Sequence, residues 1–141
     1  MKAAVLYRIA SVLLVLFATE HTLGFRMTDP KLGVGPLIAS LQTLHFQVQG
    51  FNRTFWDFYV GFGLLISVFL AFLAFLAWQL STLAPESLAL VHGIKWGLAI
   101  CIAVETVLTW RYFFIGPIIF SIVISACLIA AAWLSGKPSR S

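Results

Sequence analysis

The sequence is short of charge. Asp, Glu, Lys and Arg make up only 10% of its 141 residues, where water-soluble domains carry about 25%. That scarcity argues against an ordinary soluble fold, because a chain of this length cannot hide a 61% hydrophobic composition in one core. It also argues against a nucleic-acid surface. The net charge of +4 comes from residues scattered over tails and short loops, with no basic run or stripe. Cysteine is scarce too. Cys101 and Cys127 lie inside apolar runs and read as small apolar fillers, with neither a disulfide framework nor a metal knuckle around them. "GVG" at residues 33–35 lacks a following Lys-Ser/Thr, so it is no phosphate loop. No cofactor or metal follows from the composition.

What the sequence does have is long apolar runs. Four segments, 5–25, 55–79, 87–108 and 112–134, reach the length of about 20 residues that a membrane helix needs. Backbone groups in lipid must be satisfied within the segment, which makes these segments helices. The first begins with positive charge in "MKAAVLYR". "TEHTLGFR" follows without a small-x-small cleavage site, so it reads as a retained span. The turns "STLAPE" and "TWR" are short enough to set neighbouring spans antiparallel. The expectation is all-α: a four-helix transmembrane bundle forming a single integral membrane domain over residues 1–141. Lys2, Arg8, Lys95, Lys137 and Arg140 then share one side, opposite Arg26, Lys31, Arg53 and Arg111. This bias of five to four favours both termini in the cytoplasm.

The long connection after the first span has turn chemistry in "DPKLGVGP". Beyond it, Leu37, Ile38, Leu41, Leu44 and Val48 recur at helical spacing among glutamines. The pattern predicts a short membrane-surface helix over about 36–48.

Membrane helices approach one another through small residues. Such stripes comprise Ala4, Ser11 and Ala18 in the first span, and Gly63, Ser67, Ala71 and Ala74 in the second. Gly93, Gly97 and Cys101 form one in the third, and Ser121 and Ser125 in the fourth. Phe58, Phe62, Leu65, Phe69, Phe72 and Leu76 form a bulky stripe for lipid. The Gly116-Pro117 pair bends or starts the last helix.

Polar groups are then sorted against those faces. Glu105 continues the Gly93, Gly97, Cys101 series in four-residue steps, and an ionisable group there is a functional candidate. His21 follows Ala18 near a packing side and suits acid/base work. Lys95 falls away from the glycine face and is expected to snorkel to the interface. "TFWD" is a capping box of Thr54 and Asp57, and its acid can also line a pocket. Span directions bring His21, Asp57, Glu105 and Arg111 to one end of the bundle, beneath the long loop that carries His45. That convergence predicts a ligand pocket. In it Glu105 and His21 are the candidate catalytic pair. Asp57, Tyr59, Arg111, Trp56 and His45 are candidate ligand-binding residues.

"HTLGF" at the end of the first span and "RTFWDFYVGFGL" opening the second resemble a family of small four-helix bacterial integral membrane proteins with no assigned activity. The resemblance implies a multi-pass protein of a bacterial inner membrane and carries no mechanism. The general layout is also similar to sterol-isomerase-like bundles, without a residue-by-residue match, so it serves as an analogy of fold. Two functions compete. One is binding of a small amphipathic or lipid-like molecule, with acid/base chemistry. The other is assembly with another membrane protein or a second copy of the chain, without catalysis. Membrane lipids are partners in both. A transporter and a haem held by His21 and His45 are weaker alternatives.

Overall fold

The computed structural model describes residues 2–27 and 30–136. Lys137 and Arg140, counted above for orientation, and Asp29 of the first loop lie outside them. The elements in order are α1 (Lys2–Gly24), a 3-10 turn (Pro30–Leu32), α2 (Gly35–Thr43), β1 (His45–Val48) and β2 (Phe51–Thr54). They are followed by α3 (Phe55–Thr82), α4 (Pro85–Leu90), α5 (His92–Tyr112) and α6 (Ile115–Leu134). The helices α1, α3, α5 and α6 are long and apolar enough to cross a membrane. The fold is therefore all-α in its spans, with one small hairpin.

Three boundaries differ from expectation. The surface helix stops at Thr43, and residues 45–48 form a strand. Leu44 turns extended (φ −77°, ψ 103°). Gln49 and Gly50 then both take positive φ, 49° and 86°. That pair of left-handed residues is the two-residue turn whose twist suits an antiparallel hairpin, and the chain folds back there. The third span does not begin at 87. Pro85 opens the separate short helix α4, Val91 leaves helical geometry (φ −86°, ψ 41°), and α5 starts at His92. "TWR" is not a turn either. It belongs to the last turns of α5, and the chain reverses at Phe113 and Phe114, both extended. Gly116 and Pro117 sit in the first turn of α6, where a missing N–H costs nothing.

The chain divides into two compact units, Met1–Phe17 with Leu70–Ser141, and Ala18–Phe69. The first unit has the larger core. Tyr7, Ala10 and Leu14 of α1, Ala74 and Ala77 of α3, Leu98, Ala99 and Ile102 of α5, and Ile124, Leu128 and Ala131 of α6 are all buried. The alanines among them let backbones come close, which is how helices associate in lipid. The Ser11 hydroxyl donates to the Ala74 carbonyl at 2.8 Å, tying α1 to α3. Phe17 stacks on Phe120 at 5.6 Å, tying α1 to α6. Thr106 donates to the Ser121 carbonyl at 3.1 Å, tying α5 to α6.

In the second unit the two motifs singled out in the sequence interlock. His21 Nε2 lies 3.2 Å from the Gly63 carbonyl, and the Phe25 ring stacks against His21 at 5.3 Å. The Tyr59 hydroxyl donates to the Phe25 carbonyl at 2.6 Å. Glycine at 63 makes room for the Phe25 ring, which a Cβ there would meet at 2.5 Å and force to move. The buried stripe of α3 is Gly63, Ser67, Leu70, Ala74 and Ala77, while Ala71 is exposed. The bulky stripe from Phe58 to Phe72 is exposed, as expected of a lipid-facing surface, while Leu76 at its end is half-buried.

Candidate functional site

The first unit holds Glu105 and Arg111, and the Gly93, Gly97, Cys101 series does not lie on its packed side. Gly93, Gly97 and Cys101 are exposed, and a Cβ built on either glycine would meet nothing within 4 Å. The buried side of α5 carries Lys95, Leu98, Ala99, Ile102 and Thr109. At 100° per residue, a four-residue step drifts by about 40°, so Glu105 sits roughly 120° around the helix from Gly93. Glu105 is half-buried because it follows Ile102 on the packed side, not because it follows the glycines.

Its carboxyl group is unevenly served. Oε1 accepts the Thr109 hydroxyl at 2.5 Å, one turn along the same helix. Oε2 is buried and has no hydrogen-bond partner among the described residues. The structural pair with Arg111 is not formed. Arg111 is exposed, with its guanidinium 5.9 Å from the Tyr112 ring centroid. Six residues of helix place it about 9 Å along the axis from Glu105. Next along α5, the Thr106 hydroxyl shares its one proton between the Ile102 and Ser121 carbonyls, and Ser121 donates to the Ile118 carbonyl.

The first unit also contains a polar group that the sequence reading misplaced. Lys95 does not snorkel. It is 0% exposed, and its Nζ donates to the Ser135 carbonyl at 3.4 Å. Ser135 caps the C-terminus of α6, so the ammonium meets the negative end of that helix dipole. Tyr7 is equally buried. Its hydroxyl makes no well-formed hydrogen bond, and the Ser135 side chain is its polar neighbour. The signal for Lys95 was available in its spacing: Lys95, Leu98 and Ile102 fall on one face at steps of three and four.

The second unit holds His21, His45, Trp56, Asp57 and Tyr59. The contact with the Gly63 carbonyl requires the proton on His21 Nε2. The Gly63 carbonyl also accepts from Ser67 at 3.1 Å, so both its lone pairs are used. The capping box is complete. The Thr54 amide donates to Asp57 Oδ2 at 2.8 Å, and the Asp57 amide donates to Thr54 Oγ1 at 3.1 Å. His45 faces Thr54 across the hairpin. Trp56 stacks on Tyr59 at 5.3 Å. Within the unit, contacts link His21 through Phe25 to Tyr59 and Trp56, and Asp57 is held in its capping box. Among the described residues, no cluster of three or more His, Cys, Asp and Glu side chains stands ready to hold a metal.

Four spanning helices and a charge-poor chain define a multi-pass α-helical membrane protein. Comparison of the chain with protein-family models, with curated proteins and with solved structures finds no match.

Proposed function

We propose that the protein binds a small amphipathic or lipid-like molecule through Glu105, which also supplies acid/base chemistry to it. One observation carries the reading: Glu105 Oε2 is buried and unpartnered while Oε1 is held by Thr109. A carboxyl group fixed on one side and free on the other is prepared to take a hydroxyl or amine from a ligand whose body is apolar. Leaving such an oxygen without a donor costs about 1–3 kcal/mol, which a bound donor would recover. Exposed Arg111, further along α5, suits an anionic part of the same molecule. The proposal extends to a bacterial inner membrane with both termini cytoplasmic, the orientation resting on the Lys and Arg distribution.

The test is native mass spectrometry of the purified chain and of its Glu105→Gln variant. A small molecule retained by the parent and lost from the variant, at equal folded yield, supports the reading. Equal retention by both overturns it.

A second reading has its own support. The exposed Gly93, Gly97 and Cys101 face of α5 has the G-x-x-x-G spacing through which membrane helices dimerise. In this reading the protein assembles with a second copy or another membrane protein. Thiol crosslinking at Cys101 in native membranes, abolished by Gly97→Leu, is the expected outcome. A strictly monomeric Cys101 would sink it.

A further inference from the structure

The β1–β2 hairpin is amphipathic in a way its short sequence conceals. The register pairs His45 with Thr54, Phe46 with Arg53, Gln47 with Asn52 and Val48 with Phe51. Directly paired residues share a face of a two-stranded ribbon, and faces alternate along each strand. One face therefore carries Phe46, Val48, Phe51 and Arg53. The other carries His45, Gln47, Asn52 and Thr54, all polar.

The apolar face does not stop at the hairpin. Phe46 packs on Phe55 at 4.8 Å and on Phe58 at 5.9 Å, and Phe58 continues to Phe62 at 6.4 Å. Phe58 and Phe62 belong to the exposed bulky stripe of the α3 span, whose only apolar solvent is lipid. Beyond Phe46 the same face ends in Phe51, 62% exposed. Arg53 shares that face, its guanidinium 5.3 Å from the Phe51 ring centroid, and is itself exposed. An apolar surface flanked by an exposed arginine that lies over an aromatic ring matches the boundary between acyl chains and phosphates.

We propose that the hairpin is a membrane-surface anchor: its Phe46–Val48–Phe51 face lies in the lipid leaflet that surrounds the start of α3, and Arg53 meets the headgroup phosphates. The continuity of the aromatic ladder from the spanning helix onto the hairpin identifies lipid as the occupant. The opposite face, with His45 and Asn52, is wet.

The experiment is site-directed spin labelling of the full chain in phosphatidylcholine–phosphatidylglycerol vesicles, in a Cys101→Ala, Cys127→Ala background. Labels at Phe51→Cys and Asn52→Cys are compared, with Val48→Cys and Gln47→Cys repeating the pair on the other strand. A label at Phe62→Cys gives the lipid reference. Collision with oxygen should exceed collision with a water-soluble nickel chelate severalfold more at 51 and 48 than at 52 and 47. Equal water access at all four positions overturns the anchor. Protection of 51 and 48 from both reagents also overturns it, because a protein and not lipid then covers the face.

Discussion

The two ends of α5 each carry a charged side chain on the packed side of the helix, and they are handled in opposite ways. Lys95 is fully buried and its ammonium finds the carbonyl at the C-terminus of α6. Glu105, ten residues on and about 15 Å along the axis, is half-buried and keeps one oxygen without a donor among the described residues. The lysine answers a structural need, since the last carbonyls of a helix lack partners and a cation there is favourable. Among the described residues the glutamate's one hydrogen-bond partner is a hydroxyl on its own helix. Burial of a charge is therefore a poor sign of function here. The better sign is what burial leaves unsatisfied.

Removing Lys95 is the largest test of that contrast. Lys95→Ala should destabilise the protein by about 2–5 kcal/mol, because it opens a cavity in a closed core and strips the Ser135 carbonyl of its donor. Lys95→Met keeps the volume and should recover most of that loss, as apolar replacements of buried charges do. Thermal unfolding in detergent reads both. A Lys95→Ala variant as stable as the parent would show the ammonium to be no strut, and the contrast with Glu105 would collapse.

The second unit extends the satisfied side of the comparison. Gly63→Ala should cost about 1–3 kcal/mol, the usual penalty of overpacking, because the Phe25 ring must move and carries its stacking on His21 with it. Proteolysis within residues 18–69 should accelerate in this variant. Thr54→Ala removes the hydroxyl of the capping box and should cost about 1 kcal/mol, seen as earlier fraying of the start of α3 in hydrogen exchange. Unchanged exchange there would mean that the hairpin alone holds the helix end.

What was legible in the sequence follows from which signals are unambiguous. Apolar runs of spanning length admit only one structure in lipid, so four helices were readable. Thr54 and Asp57 announced their box through a spacing that only a helix N-terminus explains. The surface segment was not readable, because Leu41, Leu44 and Val48 satisfy a helical period while His45-Phe46-Gln47-Val48 also satisfies the period of two. Gln49 and Gly50 decided between them by taking left-handed conformations. The faces of α5 misled for a different reason. Small residues mark where helices can approach, but Gly93 and Gly97 are exposed, and the unit closes around Ala99, Ile102 and buried Lys95 instead. Similarly Leu70, not Ala71, continues the buried stripe of α3. In lipid a bulky side chain can face either way, so size alone does not choose the inner face.

The smallest effect on stability belongs to Glu105, and that is what makes it decisive. Glutamine has the same shape, keeps an acceptor for the Thr109 hydroxyl and exchanges the unpartnered oxygen or its equivalent for an amide. Glu105→Gln should therefore shift stability less than any of the variants above. If the carboxyl group exists to meet a ligand, the same variant loses that ligand entirely. If the carboxyl group is merely tolerated, the variant matches the parent in both measurements, or gains slightly from losing a buried acid. A large loss of stability would be a third result, placing Glu105 with Lys95 among the struts and removing the reason to look for a ligand at that end of α5.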